Sequence, residues 1–263
     1  LIEGNYPLIE GLLSAVHLDP TARLYVDVDD LLDEDGSTQL TVVARTTGLD
    51  ESSAGRVVTV QEALYHDGQE IGFFQERFAI RGRIGSDSVP VDVPAAAGLA
   101  VGVTDTPRSQ LRRARVVAPA NMTTFANVSG DFNPIHTSYA AARVAGLEDA
   151  LVHGMWLSAV AQNLVEAREG KQPGYRITGW TYNMYGLVNL NDPVDLTVER
   201  VGRIPGGGLL LEVTAKIDGQ IVSRATATTA PPTTAYVYPG QGIQRQGMAL
   251  EEMTTSDAAR EVW

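Results

Sequence analysis

The stretch GMWLSAVAQNLVEAREG, residues 154–170, decides the fold because it has the length of a helix and is apolar on nearly every face. A helix of this kind needs protein around most of its surface, so we predict a buried α-helix over Gly154–Glu169. Gly170 and Lys171 are typical of residues that end a helix. Strand-like segments follow, and a long helix ahead of a run of strands predicts a sheet wrapped around a helix, an α+β fold.

The segments on either side of this helix carry strand patterns and turn signals. Asp218-Gly219 separates two apolar runs and predicts a tight hairpin. Before the helix, residues 110–118 (QLRRARVVA) predict one more strand, and Pro119–Val128 predicts a short helix. The four strands expected after the long helix cover residues 175–188, 194–204, 208–217 and 220–230.

The first half of the chain repeats this plan. Pro7–His17 starts with proline and places apolar residues on one face, which predicts a helix. From Arg23 to Arg83 the alternation of apolar residues predicts about four antiparallel strands, with a hairpin at Asp67-Gly68. We therefore expect a double unit of two antiparallel sheets, each wrapped on a helix.

Shifts in composition divide the chain into four parts. Residues 1–85 hold the first unit, and residues 86–107, rich in Pro, Ala and Gly, are a linker. Residues 108–232 hold the second unit. Residues 233–263 begin a truncated C-terminal segment, with a short strand, a Gly-rich turn and a helix from about Gln246, and they are too few to form a core.

Composition excludes several kinds of site and partner. The chain has no cysteine, which excludes disulfides and thiolate chemistry. Residues 1–107 hold 18 acidic and 6 basic residues and so carry the whole net charge of −12, which argues against a nucleic-acid partner. No apolar run has the roughly 18 residues of a membrane span. The start, LIEGNYPLIE, has neither Met nor a signal pattern, so we expect a piece of a longer protein.

The stretch GDFNPIH, residues 130–136, carries the candidate chemistry. Five helical residues would rotate a side chain by about 500°, so Asp131 and His136 would not share a helical face. Pro134 stops a continuing helix and makes Asn133 extended. The Asn-Pro step is thus a stiff corner that can bring the acid and the base together.

A second histidine, His153, lies immediately before Gly154, at the start of the long helix. The first N–H groups of a helix have no partner within it and face the positive end of its dipole. Gly154 permits close approach of a substrate. A thioester oxygen placed there would find an oxyanion site, so the region holds an acid, a base and an oxyanion donor for proton transfer beside a carbonyl.

Each residue alone has an ordinary structural explanation. An aspartate before Asn-Pro is typical of an Asx turn, and a histidine beside proline is more often structural than catalytic. His153 at a helix entrance favours a capping or supporting role. The combination at this spacing is more specific than any member.

The motif G-D-x-N-P-I-H, followed by V-H-G-M and an apolar helix, resembles the MaoC-like family of hot-dog-fold (R)-specific hydratases and dehydratases. The resemblance implies that Asp131 and His136 are the catalytic pair and that Gly154 offers its amide to the thioester oxygen. It implies supporting roles for Asn133, which shapes the loop, and for His153. It also implies a double hot dog whose first half, without such a motif, is non-catalytic.

The tail adds a second resemblance. VYPGQGIQRQGMA is similar to the opening of malonyl/acyl transferase domains, although Ile243 replaces the usual Ser and the nucleophile motif G-x-S-x-G is absent. A MaoC-like region running into such a domain is the order in fungal and actinobacterial type I fatty acid synthases. The resemblance implies an excised dehydratase region with enoyl reductase and malonyl transferase neighbours in an oligomeric, cytoplasmic complex.

The implied enzyme is a hydro-lyase. It dehydrates (3R)-3-hydroxyacyl-[acyl-carrier-protein] to the trans-2-enoyl thioester, with the substrate on the carrier's phosphopantetheine and with no cofactor or metal of its own. Two alternatives stay open: a free-standing (R)-specific enoyl-CoA hydratase and a non-catalytic hot-dog scaffold. The basic cluster RSQLRRAR, residues 108–115, either meets an acidic partner or phosphate or protects an edge strand by charge.

Overall fold

The computed structural model groups the residues up to Pro231 in one compact unit and those from Pro232 in another. The described residues are 15–27, 30–33, 36–52, 55–80, 102–167, 174–231, 246–248 and 250–262. In the second unit they form a turn at residues 246–248 and two short helices, α5 (Leu250–Thr255) and α6 (Asp257–Val262). The C-terminal helix thus begins after Gln246, and the predicted Gly-rich turn lies outside the described residues.

The first unit is built on one antiparallel sheet of nine strands. Their order in the sheet is β2-β3-β4-β1-β6-β9-β8-β7-β5. The strands are β1 (Ala15–Leu24), β2 (Thr41–Ser52), β3 (Gly55–His66), β4 (Gln69–Ile80), β5 (Thr104–Val117), β6 (Ile177–Met184), β7 (Pro193–Arg203), β8 (Leu209–Ile217) and β9 (Gln220–Thr229).

The two halves of the chain join along β1 and β6. These strands pair antiparallel through Thr21–Arg23 and residues 179–181, and Arg176 forms an ion pair with Asp27 at 3.1 Å. The expectation of two separate sheets is therefore wrong, because pairing of their edges removes two exposed strand edges. The α+β hot-dog fold is confirmed.

The described helices of the first unit all follow β5. They are α1 (Thr123–Ser129), α2 (Pro134–Thr137), α3 (Tyr139–Val144) and α4 (Gly154–Glu166). The helix predicted over Pro7–His17 is wrong at Ala15–His17, which belongs to β1, and the rest of it lies outside the described residues. Thr104–Pro107, predicted as linker, already belongs to β5. At both places pairing with a neighbouring strand overrides the local pattern: Ala15–His17 pair with β4, and Thr104–Asp105 pair with β7.

Helix α4 lies on the sheet of the second half. Leu157, Ala161 and Val165 on one side of it pack among buried residues of β6–β9, such as Leu196 and Leu211. Only Ala159, Asn163 and Glu166 on the opposite side are exposed, so the predicted burial holds except along this stripe. The helix also ends earlier than predicted, at Glu166.

Two predicted hairpins are confirmed. Asp67 and Gly68 between β3 and β4, and Asp218 and Gly219 between β8 and β9, all have positive φ, from 48° to 81°. Positive φ at both central residues is the conformation whose twist matches the flanking strands.

Strand β5 is an outer edge of the sheet, and arginines from the basic cluster meet acidic residues on its neighbours. Arg108 binds Glu199 at 2.9 Å and Glu212 at 2.7 Å, and Arg115 lies 3.1 Å from Asp195. Of the two interpretations of this cluster, the charge-protected edge strand is the one that the structure supports. No helix among the described residues combines the length and apolar character of a membrane span.

Candidate active site

The loop GDFNPIH is built from two successive turns. Helix α1 ends at Gly130, whose φ of 74° lies in the left-handed region that glycine readily adopts. The Asp131 carboxylate accepts from the Asn133 N–H at 3.0 Å, an Asx turn. The Asn133 side chain accepts from the Ile135 N–H at 3.3 Å and caps α2, with Pro134 at its first position. The Asn-Pro step therefore fixes the direction in which α2 leaves the loop.

His136, in α2, is oriented by the backbone. Its Nδ1–H donates to the Leu151 carbonyl at 2.9 Å, and the Leu151 N–H donates to the Ile135 carbonyl at 3.1 Å. With Nδ1 as the donor, Nε2 keeps a lone pair. Burial lowers the pKa of His136 and outweighs the opposing effects of the Leu151 carbonyl and Asp131. His136 is therefore neutral at pH 7 and presents a basic nitrogen.

His153 packs against His136 and reaches the Asp131 loop. The two rings are stacked with centroids 3.9 Å apart, and Phe125 on α1 lies 5.2 Å from His153. His153 is only 2% exposed. Its Nε2 lies 3.0 Å from the Asp131 carbonyl oxygen and 3.5 Å from the carboxylate. His153 thus holds the Asp131 loop and the ring of His136 together.

The structure brings the predicted acid and base into one cluster. Side-chain donor atoms of Asp131, His136 and His153 all lie within 4.8 Å of one another. The Asp131 side chain is 51% exposed, so a ligand can reach it. The ordinary interpretation of Asp131 as an Asx-turn residue also holds, because its second carboxylate oxygen stays available while the first caps the turn.

Gly154 is the first residue of α4, and its side of the helix is tightly packed. A Cβ at this position would meet Met184 Sδ at 2.2 Å, so no larger residue fits without a shift. The Gly154 N–H has no partner within the helix, and the helix dipole gives it a positive environment. It is suited to bind a carbonyl oxygen beside His136.

The side-chain oxygen and nitrogen atoms of Asp131, His136 and His153 are also a possible set of metal ligands. Divalent zinc takes imidazole and carboxylate ligands in a tetrahedral arrangement. The His136 and His153 rings, however, lie at only 27° to each other, so their in-plane lone pairs run side by side instead of converging. His153 Nε2 is already directed at Asp131. The arrangement fits a proton-transfer site better than a metal centre.

Apolar surface surrounds the loop. Pro134, Ile135, Ala141 and Val144 line an open depression along α2 and α3. Further large apolar side chains, on the loop and its neighbouring helices and directly after β6, are exposed, which suits an apolar ligand. They are Val128, Phe132, Tyr139, Tyr185 and Leu187.

Three residues of the site were not foreseen from the sequence. Leu151 orients His136 through its carbonyl, Phe125 packs on His153, and Met184 lies against Gly154. No motif signals them, because each contact joins segments that are distant in sequence. The apolar LVHGM run was the one available signal that Leu151 lies near the site.

Comparison with known proteins finds one matching domain family and similar fatty acid synthase subunits. The MaoC like domain matches residues 103–220. The fatty acid synthase beta subunit TOXC of Cochliobolus carbonum is 36% identical over 149 residues, and the fatty acid synthase subunit beta of Saccharomyces cerevisiae is 35% identical over 145. These matches cover 56% and 55% of this chain and 7% of each relative.

The fold is also similar to solved structures. A MaoC-like dehydratase from Phytophthora capsici superposes with a TM-score of 0.64 over 84% of this chain and 73% of its own, at 14% identity. At that identity the likeness establishes the fold alone. It extends over both halves of the sheet, whereas the match to the MaoC like domain begins at residue 103.

Proposed function

We propose that the chain, whose residues 103–220 match the MaoC like domain, is the dehydratase region of a type I fatty acid synthase. The reaction is the dehydration of a (3R)-3-hydroxyacyl thioester, held on an acyl carrier protein, to the trans-2-enoyl thioester. The observation that carries this proposal is the cluster of Asp131, His136 and His153, with Gly154 directly after His153 at the start of α4.

His136 is the base in this mechanism. Its Nε2 removes a proton from C2 of the thioester, while its Nδ1–H stays bonded to the Leu151 carbonyl. That bond fixes the tautomer and stabilises the imidazolium once it forms. Burial keeps the ring neutral before the reaction, so the base is ready at neutral pH.

Asp131 is the acid. Its carboxyl group gives a proton to the hydroxyl at C3, the C3–O bond breaks, water leaves and the C2–C3 double bond forms. The half-exposed side chain is open to a bound acyl thioester, which would shield this proton transfer from water. The proton taken up by His136 returns to Asp131 before the next turnover. In the hydration direction both groups act on one water molecule.

Gly154 stabilises the charge that develops on the thioester oxygen. Its N–H at the start of α4 donates to the enolate-like oxygen, and a larger residue at this position would have to displace Met184. An oxyanion donor of this kind typically contributes on the order of 2.7–4 kcal/mol to lowering the barrier.

The relatives support the wider context of this proposal. Because they are fatty acid synthase beta subunits, we expect an acyl carrier protein as substrate carrier and enoyl reductase and malonyl transferase domains as neighbours in an oligomeric complex. The cytoplasmic location and the use of phosphopantetheine-bound substrate, with no further cofactor, stay predictions.

The test is dehydration by site variants. We expect Asp131→Asn and His136→Ala each to fold and to lose at least about 100-fold in kcat, the range of general acid–base catalysis. Asp67→Asn and His66→Ala, in the β3–β4 hairpin, are matched controls and should keep wild-type turnover. Near-normal turnover by either site variant would contradict the assignment of Asp131 and His136 as acid and base. Assays on carrier-protein and coenzyme A thioesters in parallel distinguish the synthase region from a free hydratase.

A further inference from the structure

His17, in the first half, is a half-buried titratable residue that the proposed mechanism does not use. Its ring stacks on Phe78 with centroids 4.8 Å apart and 21° between planes. One ring nitrogen is held by the backbone of Asp19. The other, Nε2, is buried and has no hydrogen-bond partner among the described residues. A buried polar atom of this kind costs free energy until it finds a partner.

The backbone is irregular at this position. The pairing of β1 with β4 shifts register between His17 and Asp19. A bulge of this kind redirects a side chain and is common next to active sites. The stack on Phe78 then holds the ring in that direction, so His17 is oriented by two independent features.

The seam between the halves brings His17 to the candidate active site. Strand β1 pairs with β6 at Thr21, opposite Thr181. From this pairing β1 runs back to His17 and β6 runs in the same direction to Met184, which lies against Gly154. The charge of Asp131 is also close enough to act on the His17 ring.

The His17 ring is an acceptor. Burial lowers the pKa of His17 and outweighs the opposing effects of Asp19 and Asp131, so the ring is neutral at pH 7. With its Nδ1–H given to the Asp19 backbone, the Nε2 lone pair is free to accept. A group that binds it must therefore be a hydrogen-bond donor.

We propose that His17 is a substrate-positioning residue that the first half supplies to the site of the second. Its Nε2 accepts a hydrogen bond from an O–H or N–H donor of the bound thioester. This inference rests on the proposed function. It changes the role of the first half, which the sequence had marked only as non-catalytic. The thioester offers two such donors: the 3-hydroxyl group and the amide N–H groups of the phosphopantetheine arm.

The test compares two substitutions at His17. His17→Phe keeps the stack on Phe78 and removes the acceptor, whereas His17→Gln places an amide oxygen near the position of Nε2. We expect His17→Phe to lower kcat/KM for a (3R)-3-hydroxyacyl pantetheine thioester about 10-fold, mainly through KM. His17→Gln should stay within about 3-fold of wild type. Thermal unfolding checks the fold, and His17→Leu replaces His17→Phe if the latter does not fold.

A second substrate identifies the donor. With an alkyl thioester that has no amide, a persisting defect assigns the bond to the 3-hydroxyl, and a vanishing defect assigns it to the amide N–H. Equal kcat/KM for His17→Phe and wild type on the pantetheine thioester overturns the inference, as does an equal loss in His17→Phe and His17→Gln. An inert wild-type protein would instead overturn the proposed function itself.

Discussion

Gly154 has two roles: its backbone N–H acts in the proposed mechanism, and its small size makes room for the Met184 side chain. The N–H of this residue is the oxyanion donor in the proposed mechanism, and its Cα hydrogen faces Met184. An added Cβ would lie 2.2 Å from Met184 Sδ. Since Met is flexible, the structure can yield, but only by moving either the start of α4 or the Met184 side chain.

We expect Gly154→Ala to lower the free energy of unfolding by about 1–3 kcal/mol, the usual cost of overpacking, and to lower kcat because the first N–H of α4 moves. Urea unfolding and steady-state dehydration measure the two effects. In a Met184→Ala background the added methyl has room, so the stability cost of Gly154→Ala should shrink. An equal cost in both backgrounds would contradict the steric explanation.

His136 determines the response to pH. Its pKa is lowered from 6.5 by burial, and the neighbouring His153 acts in the same direction while Asp131 opposes it. The base works in its neutral form, so kcat/KM should fall as the pH drops, with a midpoint below pH 6.5. A pH profile of kcat/KM measures the midpoint of the acid limb. A midpoint above 6.5 would show that the base is another group.

Residues joined by a short motif could be predicted from the sequence, whereas their distant contacts could not. Asp131, Asn133 and His136 lie within six residues, and the rigidity of the Asn-Pro step implies their proximity. The proximity of Met184 and Leu151 to the site could be seen only in the structure, because their positions depend on how β6 and the chain before α4 are arranged.

Helix α4 is attached to the sheet by one buried polar bond as well as by apolar packing. The Trp180 Nε1–H on β6 donates to Ser158 Oγ on α4 at 3.0 Å, and both residues are nearly inaccessible to solvent. This bond fixes the rotation of α4 about its axis. The direction of the Gly154 N–H therefore depends on it.

We expect Ser158→Ala to lower the free energy of unfolding by about 1–3 kcal/mol, because the Trp180 N–H would be buried without a partner. Asn163→Ala, on the exposed side of the same helix, is the matched control and should change stability by no more than about 0.5 kcal/mol. Urea denaturation followed by tryptophan fluorescence measures both. Equal stability of the two variants would show that the bond contributes nothing.

Elements specified by local patterns could be predicted, and those specified by tertiary packing could not. The Asp-Gly hairpins require positive φ at adjacent residues, and this requirement is visible in the residues themselves. The start of β1 has helical periodicity, yet Ala15–His17 pair with β4. Long-range strand pairing decides that conformation. Such pairing cannot be predicted from a local stretch of ten residues.

The whole molecule depends on a narrow seam between its halves. The paired residues of β1 and β6 are Thr21–Arg23 and 179–181, which is few for strands of this length. Without the first half, β6 would become an exposed edge strand, and such edges pair with other chains.

We therefore expect residues 102–231, expressed alone, to self-associate through the β6 edge. Size-exclusion chromatography with light scattering measures the mass, and the 263-residue chain at the same concentration is the control. We also expect its kcat/KM to fall, because it lacks His17. A monomeric fragment with unchanged kcat/KM would show that the first half is dispensable.

At the β5 edge of the sheet, by contrast, charged side chains oppose pairing with another chain. Strand β5 is an open edge, and Arg108 there is bound to Glu199 and Glu212 on the strands beside it. A second molecule that tried to extend the sheet would have to separate these charges or bury them. Where many identical chains meet at high local concentration, these charges oppose edge-to-edge association, so the sheet of one copy does not extend into the sheet of the next.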